Sequence, residues 1–186
     1  MEIKPQYKHT KVGQFLFDLT AKMTMFIVRH QWFYYVLSFT WGILMTLISL
    51  LVTVVLFLPS LFTKKIKFGK WGWVYYIQLG KYWGGFETGI MFLRDEESDE
   101  AYINNHEFGH TMQNILFGPL DPFISTIPSV IHYWLSEIFP KYGEKPYAAL
   151  WFEDSADQCG KWAHDYIKAK KQYIKESKEL RKQNKR

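Results

Sequence analysis

From Trp32 to Thr63 the chain carries no charged residue. A run of this kind restricts the fold severely, because about 20 consecutive apolar residues suffice to cross a bilayer core. Its centre, Phe33 to Phe62, is rich in Leu, Val, Ile and Phe. It is read as one transmembrane helix with length to spare for tilt. Trp32, Tyr34, Tyr35 and Trp41 gather toward one end, where amphipathic rings favour the membrane surface. The run begins too deep in the chain for a cleaved leader, is too long, and lacks a small-residue cleavage site before Lys64-Lys65. A buried core helix and a tight two-helix hairpin are the competing readings.

The second constraint is chemical. Asn105-His106-Glu107-Phe108-Gly109-His110-Thr111 contains H-E-x-x-H. On a helix, residues four apart lie one above the other, so His106 and His110 can aim two imidazoles at one zinc ion. Glu107 then stands beside the metal as a general base for zinc-bound water. Ser98 is the expected N-cap, Asp99 and Glu100 suit the first turn, and Gly118-Pro119 ends the helix. At roughly 100° per residue, Ala101, Phe108, Met112, Ile115 and Leu116 cluster on one side. His106 and His110 fall opposite, with Glu107 and Asn114 near them. The histidines are therefore expected to line a cleft.

A catalytic zinc usually takes three protein ligands and a water. The metzincin pattern would place a third histidine where this chain has Leu116, so that pattern fails. Asp121 is close in sequence but follows Gly118-Pro119. Glu153 is the better candidate, on a second helix for which Pro146 suits the first turn. Glu153 and Asp157 share a face of that helix, with Ala149, Ala156 and Gly160 beside them. Those small residues, with Gly109 on the first helix, would let two backbones approach closely enough for one ion to bridge them. A glycine inside a helix costs roughly 1 kcal/mol, so Gly109 has a packing reason. An ordinary solvated acidic face is the competing reading of Glu153 and Asp157.

His106-Glu107-Phe108-Gly109-His110 together with Glu153-x-x-x-Asp157 resembles the gluzincin branch of the zinc metallopeptidases, typified by thermolysin. The likeness covers about residues 70 to 165, with a longer interval between His110 and Glu153 than in thermolysin. It implies His106, His110 and Glu153 as ligands of one zinc, Glu107 as general base, and Asp157 as the group that orients a ligating histidine. It also implies an edge strand beside the motif helix that binds substrate backbone; Phe86 to Leu93 is the candidate. Gly118-Pro119-Leu120 and Pro128-Ser129 further resemble small bacterial membrane-associated proteins carrying this motif.

The expected architecture is α+β: a zincin-like domain, with a small sheet, the motif helix and the Glu153 helix, tethered to one N-terminal transmembrane helix. A basic, amphipathic segment occupies residues 1–32, the span 33–63, the peptidase domain 64–165 and a basic helical tail 166–186. Val12 to Val28 has a helical period and is expected in the membrane interface. Phe68 to Leu79 and Phe86 to Leu93 read as strands, with Gly84-Gly85 as a turn or bulge. Phe123 to Phe139 is apolar, a cleft wall or a patch pressed on the membrane. Asp95, Glu96, Glu97, Asp99 and Glu100 directly precede the motif, which puts the site outside the lipid. Lys64, Lys65, Lys67, Lys70 and Lys81 follow the span, and the positive-inside rule then favours a cytoplasmic domain. The tail could rest on anionic headgroups or stand as a solvated helix.

The net charge of +5 comes without the aromatic-basic interleaving of a nucleic-acid binder. The single cysteine, Cys159, allows no internal disulfide and is read as a buried thiol. The expected activity is hydrolysis of a peptide or protein substrate at the membrane, with His132, Tyr133 and His164 as possible donors to the oxyanion. A zinc-stabilised scaffold without turnover and a membrane adaptor are the alternatives.

Overall fold

A computed structural model describes residues 2–139 and 147–183. Pro146 lies outside them. The chain is α+β, with α1 (Lys11–Arg29), α2 (Gln31–Phe39) and α3 (Ile43–Ser60) preceding a four-stranded sheet. The strands are β1 (Lys67–Trp71), β2 (Val74–Gln78), β3 (Gly85–Glu87) and β4 (Met91–Arg94). After the sheet come α4 (Glu100–Phe117), α5 (Ile127–Ile138) and α6 (Trp151–Gln183).

The uncharged run is two helices, not the single one expected. Thr40 to Gly42 break it, and the Gly42 N–H turns back to the carbonyl of Leu37. The second piece, α3, is the one described helix long and apolar enough to cross a membrane, at mean hydropathy 2.5 over 18 residues with 17% of them buried. It is no free tether. Met45, Thr46 and Ser49 are buried, and Ser49 Oγ donates to the carbonyl of Thr88. Gly89, at φ 115°, lies so close to the backbone of Met45 that any Cβ there would collide. Further along α3, the Thr53 hydroxyl meets Met91 and Phe57 meets the ring of Phe68. The apolar helix and the domain form one body.

The expectation for Val12 to Val28 is also corrected. Phe17, Ala21, Ile27 and Val28 are buried in the protein core rather than free for a membrane interface. Burying a side chain of the size of Phe or Ile stabilises by about 1.5–3 kcal/mol, enough to fix α1 on α6 and α4. Ahead of α1, the Asp154 carboxylate accepts from the N–H groups of Gln6 and Tyr7 and contacts His9 Nε2 at 2.8 Å. The N-terminal segment is thereby fastened to the start of α6.

The sheet order is β1-β2-β4-β3, with β2 and β4 parallel and the other pairs antiparallel. The first expected strand divides at Gly72 into a hairpin with Trp71 opposite Val74. The second divides around residues 88–90, which leaves Gly85–Glu87, rather than the whole stretch to Leu93, as the edge strand next to α4. Asp95 closes this layer. Its carboxylate accepts from the N–H groups of Trp83, Gly84 and Ser98. Burial alone would raise that carboxyl, but these hydrogen bonds outweigh it and bring it down to about 2.

The N-cap of α4 is Asp99, which accepts from the N–H of Tyr102, and not Ser98. The helix is enclosed on almost every side. Phe108, Met112 and Ile115 are buried as expected, but so are Asn104, Glu107, Thr111, Gln113 and Asn114, while Ala101 is exposed. The reason is α6, which lies across the polar face of α4. A Cβ on Gly109 would strike the carbonyl of Ala156, and one on Gly160 would strike that of Asn105. Cys159 is a free, buried thiol pushed up to about 12 by burial.

Replacing either glycine gains about 1 kcal/mol of helix propensity but overpacks a backbone-to-backbone contact, which costs up to about 3 kcal/mol or more. Gly109→Ala and Gly160→Ala are therefore expected to lower the urea midpoint. An unchanged or higher midpoint would show that the two helices are not held this close.

Candidate metal centre

The close packing of α4 on α6 brings His106, His110 and Glu153 together. One ligand atom from each lies within 4.8 Å of the others. His106 Nε2 stands 3.2 Å and His110 Nε2 3.5 Å from the same oxygen of Glu153, and the two Nε2 atoms are 3.1 Å apart. Glu153 is fully buried, and neither of its oxygens makes a hydrogen bond of good geometry. Three lone-pair donors converging in a buried place have one chemical use in common, which is to hold a cation. The set could hold a metal ion.

The far side of each imidazole is held. His106 Nδ1 lies 2.8 Å from Asp157 Oδ1, and His110 Nδ1 lies 2.8 Å from Gln113 Oε1. An acceptor at Nδ1 fixes the proton there and leaves Nε2 as the free donor toward the centre. Asp157 thus touches one of the two motif histidines, His106, where the resemblance implied only that it would orient one of them. Gln113 was not anticipated. It is fully buried and anchored in turn, since its amide donates to the carbonyl of Phe152 and to Ser155 Oγ, while Ser125 donates to its oxygen. The spacing of His110 and Gln113, one helical turn, was the available signal.

Glu107 is buried and borders the cleft beside His106 and His110. Gly85 on the edge strand lies against it, so that a Cβ at that position would overlap the Glu107 carboxylate. Burial raises the Glu107 carboxyl, against the lowering effect of the two histidines. For Glu153 the balance is reversed. Burial would raise it, yet His110 and His106 outweigh that and hold it far below the usual range. Burial likewise would lower His106, but Asp157 and Glu153 hold its imidazole well above the ordinary value. His110 is raised against burial by Glu153.

The cleft in front of these groups has a volume of about 520 Å³. Trp83 and Phe86, Tyr102 and Ile103 of α4, and Tyr133 and Trp134 of α5 line it. Of the three side chains considered as oxyanion donors, only Tyr133 borders this cleft; His164 instead stacks on Trp71 at 4.7 Å, on another face. Tyr147, missed in the sequence, also lines it, with its hydroxyl hydrogen-bonded to Ser129 and burial and Glu153 keeping the phenol protonated. Asp121 is not part of the metal-ligating group. It is buried, bonded to Thr126 at 3.2 Å, and pushed up to about 6 by burial. Glu87, also buried, is raised by burial and by its neighbour Asp121.

Metal ligands must be deprotonated, so a metal has to displace the protons that His106 and His110 hold above their ordinary value. Affinity is therefore expected to rise with pH through about 6.5 and to go on rising above it, with protons released on binding. Calorimetry in buffers of different ionisation enthalpy measures this; a flat affinity from about pH 6 to 8 contradicts it. Asp157→Asn and Gln113→Leu should each weaken metal affinity by about 10–100-fold while the fold persists. Compared with protein-family models, curated proteins and solved structures, the chain has no match.

Proposed function

We propose that the chain is a membrane-associated zinc peptidase of the gluzincin type, with His106, His110 and Glu153 as ligands. The observation that carries this reading is the convergence of the three ligand atoms within 4.8 Å, with Glu107 beside them at the cleft wall. Two imidazoles and one carboxylate, with a side left open to the cleft, is the donor set of a catalytic rather than a closed structural zinc site. When bound, zinc lowers the pKa of a coordinated water to about 7 and polarises the carbonyl to be attacked.

The chain's own groups do the rest. Glu107 takes the proton from the attacking water and passes it to the departing amine nitrogen. Its buried setting raises its affinity for that proton, which suits a carboxylate that must accept and then release it. Among the described residues strand β3 pairs only with β4, which leaves it the edge strand, and its residues line the cleft. An extended substrate backbone fits there as an added strand, which lays its carbonyl over the site. The protonated hydroxyl of Tyr147 is the donor proposed for the developing oxyanion. Aromatic walls at Trp83, Phe86, Tyr133 and Trp134 favour apolar substrate side chains.

The membrane association rests on α3, whose 18 residues span about 27 Å against a bilayer core of about 30 Å. Because α3 packs on the β3–β4 turn, the catalytic domain rides against the span rather than on a stalk. Lys64, Lys65, Lys67 and Lys70 beyond its C-terminus favour the cytoplasmic side.

One observation favours a second reading. The triad ties α4 to α6 in the interior, and a metal there would stabilise the fold without turnover. Glu107→Gln separates the two. It is expected to keep about one zinc per chain and the wild-type unfolding midpoint, and to lose peptide hydrolysis by at least about 100-fold. Equal zinc binding with no hydrolysis of a peptide library by either protein would leave the scaffold reading.

A further inference from the structure

Away from the metal centre, the turn between β1 and β2 and the middle of α6 enclose a second cavity of about 270 Å³. Lys70, Lys168 and Lys171 stand around it, with His164 between them. Phe108 and Ile167 give its lining an apolar part beside Gly72, where a Cβ would fall 3.3–3.4 Å from those side chains. The wall is rigid. Trp71 lies flat on His164, with 4.7 Å between ring centroids and 12° between planes, and its indole N–H donates to Asn105 Oδ1 at 3.1 Å.

Among the described residues no carboxylate forms an ion pair with the ammonium groups around this cavity. The ion pairs of lysine and arginine among those residues are Lys4–Glu2, Lys81–Glu97 and Arg94–Glu100. None involves Lys70, Lys168 or Lys171. The Lys70 ammonium lies 5.2 Å over the ring of Tyr75, a contact that leaves its charge available. Lys168 and Lys171 are three apart on α6 and so share a face. Three cations brought to one cavity repel one another, and an anion relieves that repulsion. An ammonium with three rotatable donors suits phosphate oxygens, and the apolar part of the lining suits a carbon chain next to them.

We propose that this cavity is a binding site for a phosphate group, with Lys168 and Lys171 as its principal ligands and Lys70 closing it. A phospholipid headgroup and free phosphate carry the same chemistry. The site does not depend on zinc or on peptide hydrolysis.

The test uses the full chain in neutral detergent. Titrations with short-chain phosphatidic acid, matched phosphatidylcholine and inorganic phosphate are followed by calorimetry for wild type, for Lys168→Gln with Lys171→Gln, and for the control Lys175→Gln with Lys178→Gln. Saturable binding of phosphatidic acid, weakened roughly tenfold or more in the first variant and little in the control, is expected, at about the strength of two lysine–anion contacts. If inorganic phosphate binds as tightly as the lipid, with the same dependence on Lys168 and Lys171, the site stands and its ligand is the free ion. If neither phosphate compound binds, or both variants lose affinity equally, the proposal is overturned. Zinc content and far-ultraviolet circular dichroism of each variant ensure that lost binding is not lost folding.

Discussion

The structure depends on the contact between α4 and α6. Their backbones meet where Gly109 faces the carbonyl of Ala156 and Gly160 faces that of Asn105. With any side chain at those two positions the helix axes would have to separate. The distances of 3.2 and 3.5 Å from Glu153 to the two histidines would then be lost. The same contact removes water from Glu153, so its charge interacts strongly with the imidazoles instead of being screened. Close packing and the chemistry of the site are one property of this interface.

A helix buried on nearly all sides is ordinarily apolar on nearly all sides, and α4 is not. Its interior positions include His110, Gln113, Asn114 and Glu107. Such groups cost several kcal/mol each when buried without partners. For His110 and Gln113 that cost is offset by a chain of hydrogen bonds running from His110 through Gln113 to Ser125, Ser155 and the backbone of Phe152. Each imidazole is held from behind, so its orientation toward the centre costs little rotamer entropy when a ligand arrives. The glycine of the edge strand serves the same end, since it makes room for the carboxylate of Glu107.

The apolar half of the molecule is bound to this polar half. Trp41, in the break between α2 and α3, donates to the carbonyl of Leu116 at the end of α4. From α3, Ser49 meets Thr88 in the β3–β4 turn and Thr53 meets Met91 at the start of β4. The apolar helix α3 is therefore packed directly against the layer that carries the edge strand, rather than joined to it only by a linker.

The spacing within His106-Glu107-Phe108-Gly109-His110 determined by itself that two imidazoles would share one helix face, because helical geometry is local. The small residues around Glu153, and Gly109, marked a close helix contact for the same reason. The break at Thr40–Gly42 was not legible, because an uncharged run has the same composition whether it is one helix or two, and backbone hydrogen bonding at Gly42 decides. Nor was the burial of the amphipathic α1, since an apolar stripe does not say whether protein or lipid covers it. Tyr147 acquires its meaning only from a partner distant in sequence, Ser129, and Gln113, although one turn from His110, is itself fixed by the distant Ser155 and Phe152. The sequence determined which groups could act together on one helix; only the tertiary structure decided that Glu153 reaches them across 43 residues of chain, because burial and long-range packing, unlike helical periodicity, are not written in any local pattern.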